Sequence, residues 1–296
     1  SILNRCSSSR LPFTWTINPY RGCEFGCHYC YARYTHEFLE LREGRDFERT
    51  IFAKQNAAWL LRRDLRRVRP GEKIAIGTAT DPYQPAERRY GVTREVLEEL
   101  ARHQGLDLGL VTKSDLVVRD SGLLCRIAER NRLHVCLTIT SLNTKLARIL
   151  EPRAPRPDLR LEALRQLSRA GIEAGVMCAP VLPGINDAPR QLEALVEATV
   201  ASGGKFMAAN PLFLKPCAAQ VFLPFLEKYF PELAESYRRR YRERAYLPDS
   251  YQRHISRLLS SLKRKHGLGR ERYLAQTTRF PVETAGGREQ LALFAG

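Results

Sequence analysis

The sequence predicts an α/β protein in which six parallel strands alternate with helices, as a partial (β/α)6 TIM-like barrel with a helical C-terminal extension. Two observations predict this fold class. Short apolar runs rich in β-branched residues recur as far as Asn210, and stretches with helical periodicity separate them. After Asn210 the alternation stops and helical patterns follow one another. Six strands linked by helices suit an open barrel as well as a flat doubly wound sheet.

Each strand is predicted from a short apolar run bounded by polar or glycine residues. Strands that are linked by helices run parallel, because each crossover returns the chain to the same edge of the sheet. The predicted strands are Thr14–Asn18, Lys73–Gly77, Leu108–Thr112, His134–Ile139, Ile172–Cys178 and Lys205–Ala209.

The intervening helices are predicted from apolar residues spaced three and four positions apart. Capping residues support two of the helix ends, since Gly171 follows one helix and Asp187 with Pro189 favours the start of another. The predicted helices are Lys54–Val68, Thr93–His103, Ser121–Arg130, Asp158–Ala170 and Ala188–Ala201.

Three regions are predicted along the chain: the barrel over 1–215, a basic helical extension over 216–279 and a flexible tail over 280–296. The extension opens with a covering helix over Ala218–Tyr229. It continues with basic residues at Arg238, Arg239, Arg240, Arg242, Arg244, Arg253, Lys263, Arg264, Lys265 and His266, interleaved with Tyr237, Tyr241, Tyr246 and Tyr251. Arginines among tyrosines can neutralise phosphates and stack on bases, whereas a helix packed on the barrel would turn its tyrosines inward.

Composition and charge restrict the class of partner. The chain has 48 Lys+Arg against 32 Asp+Glu, a formal charge of +16 that favours a polyanion such as nucleic acid. No apolar run approaches the roughly 20 residues that span a bilayer, and no signal-peptide pattern opens the chain. Eight cysteines in 296 residues do not form a disulfide scaffold. We therefore expect a cytoplasmic protein without a membrane partner.

Three bunched cysteines, Cys23, Cys27 and Cys30, have the spacing expected for an iron–sulfur cluster. Gly22 before them allows the backbone to turn tightly around such a cluster. A structural zinc ion normally takes four ligands, usually as two separated pairs, and the chain has no second pair. His28 is a poor fourth zinc ligand because it is adjacent to Cys27. Three thiolates on a [4Fe-4S] cluster leave one iron open to a small molecule.

The spacing Cys-x3-Cys-x2-Cys, with Tyr29 before the last cysteine, resembles the signature of the radical S-adenosylmethionine superfamily. The resemblance implies a [4Fe-4S] cluster on the three cysteines and S-adenosylmethionine bound at the open iron. It also implies a reductant such as flavodoxin or ferredoxin. One electron would then cleave the cosubstrate to methionine and a 5′-deoxyadenosyl radical, which abstracts hydrogen from the substrate.

Polar residues follow the C-terminal ends of the predicted strands, which is where a barrel places its chemistry. They are Thr80 and Asp81 after the second strand, Lys113 after the third, Ser141 and Asn143 after the fourth, and Pro180 after the fifth. Unrelated polar residues would be spread over both edges of the sheet, so this grouping predicts a site at one edge. Ordinary strand-end capping is the alternative role for Lys113 and Ser141.

From about Thr14 to about Asp187 the chain resembles the spore photoproduct lyase group, radical enzymes that repair a thymine dimer in DNA. The resemblance implies a radical relay through the tyrosines that flank Cys30, and a cosubstrate held at its amino, carboxylate and ribose groups. The implied catalytic residues are Tyr29, Tyr31 and Asp81. The implied cosubstrate-binding residues are Tyr29, Thr80, Lys113, Ser141, Asn143 and Pro180.

One position departs from the pattern of the lyase group. That group carries a cysteine two residues before its Ser-Asp pair and uses it to return hydrogen to the product radical, whereas this chain has Thr78. Because a threonine O–H bond is far too strong to donate a hydrogen atom, strict lyase activity is not expected. Cys178 and Cys217 are either substitute donors or small buried side chains.

The tail segment Gln290–Phe294 resembles the pentapeptide that binds the bacterial sliding clamp, and its alternative role is to cover apolar surface. Taken together, the patterns predict a radical enzyme that acts on DNA, by lesion reversal or base modification, after flipping a nucleotide into the barrel mouth. RNA or a polypeptide is the alternative substrate. A further alternative is a nucleic-acid-binding protein whose cluster is structural or senses redox state.

Overall fold

The computed structural model describes residues 1–6, 8, 11–41 and 43–269. Its strands are β1 (Leu3–Arg5), β2 (Trp15–Ile17), β3 (Tyr20–Arg21), β4 (Phe52–Ala53), β5 (Lys73–Ile76), β6 (Asp107–Thr112), β7 (Arg132–Thr138), β8 (Ala174–Val181) and β9 (Met207–Pro211). The predicted tail, with its segment Gln290–Phe294, and the last part of the predicted extension lie outside the described residues.

The α-helices are α1 (Tyr34–Glu37), α2 (Asp46–Arg49), α3 (Ala57–Asp64), α4 (Glu87–Tyr90), α5 (Val92–Leu100), α6 (Ser121–Arg130), α7 (Thr144–Leu150), α8 (Pro157–Arg169), α9 (Pro189–Ala201), α10 (Pro216–Tyr229), α11 (Pro231–Tyr241) and α12 (Asp249–Lys265). Short 3-10 helices cover Tyr31–Arg33, Leu65–Arg67 and Asp115–Asp120. None of the helices in this part of the chain has both the length and the apolar character of a membrane span.

A seven-stranded sheet in the order β1-β2-β5-β6-β7-β8-β9 forms the centre of the fold. Strands β2 and β5 to β9 are parallel neighbours in chain order, while β1 pairs antiparallel with β2 at the edge. A doubly wound sheet requires the strand order to reverse at a switch point, and the order here runs in one direction. The topology is therefore that of the predicted open six-strand barrel.

The six predicted strands correspond to the six parallel strands, with shifts of a few residues at their ends. Strand β7 begins at Arg132, two residues earlier than predicted, and β8 continues to Val181. The edge strand β1, the two-residue strands β3 and β4 and the helix α7 were not predicted. Strands of two or three residues carry no measurable periodicity, so only their pairing with a distant partner identifies them.

Two groups of buried side chains fill the interior. The larger group packs strand residues such as Ile76, Leu110 and Leu137 against the crossover helices. The second group joins Phe25 and other residues around the three cysteines to the helices α10 and α11, for instance Phe222. This second core fastens the C-terminal helices to the cysteine loop.

The tyrosines of the basic region mostly face the barrel. Tyr237 is fully buried and its hydroxyl donates a 2.8 Å hydrogen bond to the carbonyl of Pro183. Tyr241 donates to the carbonyl of Leu212 at 2.9 Å, and Tyr251 donates to Asp187 at 2.8 Å. For these three residues the inward-packed alternative is correct, since their rings are covered by the barrel. Tyr246 instead stacks on Phe213.

The close approach of β8 to the segment before β9 depends on Gly175. A Cβ atom at this position would lie 2.3 Å from the carbonyl oxygen of Phe206. We expect Gly175→Ala to lower the free energy of unfolding by about 1–3 kcal/mol, because backbone cannot yield as a side chain does. Gly122 in α6 has open space around it, so Gly122→Ala should raise that free energy by about 1 kcal/mol. Urea denaturation measures both, and an unchanged midpoint for Gly175→Ala would contradict the steric argument.

Candidate metal and cofactor site

The three clustered cysteines lie on a loop that begins directly after β3. Gly22 has φ +81°, and a Cβ atom there would lie 2.7 Å from the carbonyl oxygen of Thr50. The amide of Cys23 donates a 2.8 Å hydrogen bond to the carbonyl of Phe47, so the segment between β3 and β4 folds against the loop. Only glycine fits the turn that brings the chain into this loop.

The loop is tied to the C-terminal edge of the parallel sheet on two sides. Beyond β5, the Thr80 hydroxyl donates to the carbonyl of Gly22 at 2.6 Å, and Gln84 accepts from the amide of Glu24 at 2.9 Å. Beyond β7, the amide of His28 donates to the carbonyl of Leu150 at 3.1 Å. The cysteines therefore lie at the sheet edge where the sequence predicted the site.

The thiols of this loop are shielded from water and lie close enough to influence one another. Cys23 and Cys27 are buried, and Cys30 is half-buried. Burial raises the pKa of the Cys27 thiol to about 12, although the charge of Lys113 opposes the rise. Burial, helped by the negative charges of Asp81, Cys27 and Cys30, also raises the pKa of Cys23. Thiolates here need a positively charged partner, which a metal centre provides.

The number of thiols on this loop argues against one structural zinc ion, because such an ion normally takes four protein ligands. Within the described residues, a second possible metal-binding group lies elsewhere and consists of Glu193, Glu197 and His266. Its potential ligand atoms all lie within 4.8 Å of one another. That other group is neutralised in part by Lys265, which lies 2.6 Å from Glu193. Three thiols on one loop fit a cluster that leaves one iron without a protein ligand.

Asp81 ties the ends of β5 and β6 together. Its carboxylate accepts hydrogen bonds from the Thr112 hydroxyl at 2.7 Å, the Lys113 amide at 2.7 Å and the Tyr83 amide at 2.9 Å. Burial raises the pKa of Asp81, and these hydrogen bonds oppose the rise. The geometry makes Asp81 a support for the backbone of Lys113, and its catalytic role stays a prediction.

Lys113 supplies a positive charge beside the cysteine loop. Its ammonium nitrogen lies 5.8 Å from the centre of the Tyr29 ring. Burial alone would lower the pKa of Lys113, but the negative charges of Cys27 and Glu151 outweigh it and raise the pKa. A lysine that stays charged next to the cysteine loop is suited to hold a carboxylate.

A buried ion pair under the loop was not predicted. Glu151 accepts hydrogen bonds from the Tyr29 hydroxyl and, at 3.1 Å, from the Thr140 hydroxyl. Its other oxygen lies 2.5 Å from the guanidinium of Arg160, which also donates to two backbone carbonyls. The Glu151 and Arg160 side chains are 0% and 1% exposed. No signal in the sequence separates these two residues from surface charges on neighbouring helices.

The remaining predicted residues are engaged with local backbone. Asn143 caps α7, because its side-chain oxygen accepts from the amides of Lys145 and Leu146 at 3.0 and 3.1 Å. The Ser141 hydroxyl accepts from the amide of Asn143 at 3.1 Å. Pro180, near the end of β8, accepts a hydrogen bond through its carbonyl from a buried asparagine, Asn186. The strand-end capping role is thus satisfied for Ser141, and cosubstrate binding by these residues stays a prediction.

Tyr31, predicted to relay a radical, and the candidate hydrogen donors Cys178 and Cys217 are placed differently from one another. Tyr31 lies at the mouth, 37% exposed, and its hydroxyl donates to the carbonyl of Thr78. Cys178 is fully buried in the main core, with its sulfur 3.8 Å from the carbonyl of Thr140. Cys217 is buried in α10. Of these groups, Tyr31 is the one that reaches the surface next to the cysteine loop.

Residues 17–196 match the Radical SAM superfamily. Uncharacterized proteins of Mycobacterium tuberculosis and Mycobacterium bovis are 36% identical to the chain over 272 residues, which is 90% of this chain and 79% of theirs. An uncharacterized protein of Methanocaldococcus jannaschii is 26% identical over 251 residues, covering 85% of this chain and 86% of its own.

Two solved structures share the fold. A spore photoproduct lyase variant with bound AdoMet and dinucleoside spore photoproduct superposes with a TM-score of 0.64 at 17% identity, covering 89% of this chain and 76% of that chain. SuiB from Streptococcus suis bound to S-adenosylmethionine gives a TM-score of 0.53 at 15% identity, covering 77% of this chain and 48% of that chain. At these identities the likeness shows a common architecture.

Proposed function

This chain belongs to the radical SAM superfamily, whose members use a [4Fe-4S] cluster and S-adenosylmethionine, and we propose that it abstracts hydrogen from a nucleic acid, with DNA as the favoured substrate. The predicted fold, family and cofactors are confirmed. The substrate and the roles of individual residues form the proposal.

Cys23, Cys27 and Cys30 would hold the cluster, and this assignment carries the proposal. It is supported by three shielded thiols on a loop tied to the C-terminal ends of β5 and β7, where barrel enzymes place their chemistry. When bound, the cluster and its cosubstrate supply an electron and a carbon radical that takes hydrogen from a nearby C–H bond.

The chain's own residues orient the cosubstrate and keep water away. Lys113 offers its ammonium to the cosubstrate carboxylate, and Asp81 holds the backbone from which Lys113 projects. The Thr80 hydroxyl is already used by the carbonyl of Gly22, so its first role is to position the cysteine loop. Tyr29 closes the inner side of the site over Glu151.

Charge supports a nucleic acid as the substrate. The net charge of +16 is carried partly by exposed arginines at the end of α11 and after it, namely Arg239, Arg240, Arg242 and Arg244. Because Cys23 and Cys27 are buried and Cys30 is half-buried, a base would have to be flipped out of a duplex to reach them. The spore photoproduct lyase structure of similar fold contains a bound dinucleoside spore photoproduct. That ligand is a finding about the lyase and not about this chain.

The position of Thr78 separates the proposal from the reaction of the lyase group. Its hydroxyl is 3.5 Å from the Asn18 amide nitrogen and lies beside Tyr31, whose hydroxyl bonds to the Thr78 carbonyl. No thiol replaces it among these neighbours. We therefore propose base modification, or lesion reversal with a different hydrogen donor, rather than the lyase reaction unchanged.

Label transfer tests the substrate. Anaerobically reconstituted enzyme, with reductant and S-adenosylmethionine, is incubated separately with deuterated DNA, RNA and polypeptide, and deuterium in 5′-deoxyadenosine is measured by mass spectrometry. We expect label from DNA. Label from RNA or polypeptide alone would contradict the DNA proposal. Absence of cosubstrate cleavage under every condition would instead support the cluster as a structural or redox-sensing group.

Two further predictions concern partners other than the substrate. A one-electron donor is required by the superfamily, and flavodoxin or ferredoxin stays the proposed donor. Binding of Gln290–Phe294 to a sliding clamp stays a prediction from the sequence.

A further inference from the structure

A row of aromatic side chains lies beside the cysteine loop at the protein surface. Tyr31 directly follows Cys30, and its ring centre lies 5.9 Å from that of Phe213, in the segment after β9. Phe213 in turn stacks on Tyr246, with ring centres 4.4 Å apart and an angle of 25° between the ring planes. All three side chains are at least partly exposed. An aromatic row with solvent access is available for contacts beyond core packing.

The backbone holds this stacked pair in place. Phe213 and Tyr246 face each other in an antiparallel bridge, and the amide of Leu214 donates to the carbonyl of Ala245 at 2.9 Å. The Tyr241 hydroxyl fastens α11 to the carbonyl of Leu212 at 2.9 Å. The C-terminal helices thus carry Tyr246 to the sheet edge that holds the cysteine loop. The hydroxyls of Tyr237, Tyr241 and Tyr251, in contrast, point into the barrel.

Positive charge borders the same aromatic row. Arg242 and Arg244 are exposed on the turn that precedes Tyr246, and residues 238–244 contain five arginines and one glutamate. On the other side, the ammonium of Lys215 lies 3.8 Å from the centre of the Tyr34 ring and 5.9 Å from that of Phe213. Solvent-accessible rings beside arginines form the usual platform for an unpaired base and its phosphates, and Phe213 and Tyr246 are half-buried.

We propose that Phe213 and Tyr246 form the base-stacking platform of the substrate site, and that Arg242 and Arg244 contact the phosphates of the same strand. This inference rests on the proposed function and adds to it the subsite and the form of the substrate. The ligand is an unpaired nucleobase within a nucleic-acid strand. Tyr31 then lies between the stacked base and the cysteine loop.

Binding measurements with two probes test the platform. Fluorescence anisotropy at fixed salt compares a labelled short oligothymidylate with an abasic strand of equal length and charge. We expect Phe213→Leu and Tyr246→Leu to weaken oligothymidylate binding by about 5- to 150-fold, the range for loss of one stacked base. Binding of the abasic strand should change by less than about twofold, because the phosphates and their arginines remain.

Two further variants control the measurement. Tyr246→Phe keeps the ring and should bind oligothymidylate as the parent does. Trp59→Leu removes another exposed ring, 63% accessible on α3 with Arg63 over it, and should leave both affinities unchanged. Thermal melting by circular dichroism checks the fold of every variant. Should Phe213→Leu not fold, the Tyr246 variants carry the test.

The inference would be overturned by unchanged oligothymidylate affinity in the folded leucine variants, by an equal loss of affinity for both probes, or by an equal loss in Trp59→Leu. Binding of a polypeptide in place of either strand would also overturn it. Cosubstrate cleavage and label transfer are measured on the unaltered enzyme, so failure of the platform and failure of the proposed function give separate results.

Discussion

Cys27→Ala is expected to abolish cosubstrate cleavage, lowering 5′-deoxyadenosine to the background of the reaction without enzyme. The alanine removes one of three thiols on a loop where no spare cysteine side chain lies between Cys23 and Cys30. A cubane held by two thiolates is not retained, and its brown absorbance should be lost with the activity. Iron and sulfide content, visible absorbance and 5′-deoxyadenosine after dithionite reduction are measured together.

Cys125→Ala provides the matched control. Cys125 is a half-buried free thiol whose sulfur lies 3.3 Å from the carbonyl of Ala170, in a helix on the barrel exterior. Its loss should leave iron content and cleavage as in the parent. Full iron and full activity in Cys27→Ala would show that the three cysteines do not hold the cluster. The radical chemistry would then have no place in this site.

Arg160→Met is expected to have the largest effect on stability, lowering the free energy of unfolding by about 3–5 kcal/mol. The variant leaves the Glu151 carboxylate buried beneath the cysteine loop without its charged partner. The desolvation penalty of that carboxylate is then offset less well, by the charge of Lys113 and by hydrogen bonds from the Tyr29 and Thr140 hydroxyls. Urea denaturation of the cluster-free protein measures the change.

A double variant separates the ion pair from general damage. Glu151→Gln combined with Arg160→Met removes both charges, so it should be more stable than Arg160→Met alone. Arg165→Met is the surface comparison, since its pair with Glu162 is 38% and 44% exposed and should be worth less than about 1 kcal/mol. If Arg160→Met were no more costly than Arg165→Met, the buried pair would not support the loop.

Composition alone does not decide how the tyrosines of the basic region are packed. Clustered arginines and tyrosines predicted either a stacking surface or an inward-packed helix. The structure buries Tyr237 and ties Tyr251 to Asp187, but leaves Tyr246 stacked on Phe213 at the mouth. The inward-packed interpretation therefore holds for Tyr237 and Tyr251, and base stacking at Tyr246 stays a proposal. Which one applies depends on tertiary packing, since Tyr237 lies within α11 whereas Tyr246 lies between α11 and α12 and pairs with the distant Phe213.

Local spacing by itself determined the family of this protein and the edge of the sheet that carries its chemistry. The cysteine spacing is complete within eight residues, Cys23 to Cys30, and the alternation of strands and helices repeats over short windows. Parallel strands necessarily share one C-terminal edge, so the sequence alone assigns Lys113 and Asp81 to the same region.

Only the tertiary structure decided which distant residues serve that site. Tyr29 and Glu151 are separated by 122 positions, and Phe213 meets Tyr31 from the other end of the barrel sequence. Neither contact has a periodic signature, because it arises when a curved sheet brings separate strand ends and the C-terminal helices together. A buried Glu151 and an exposed glutamate look the same in sequence. Burial next to Arg160 is what distinguishes them.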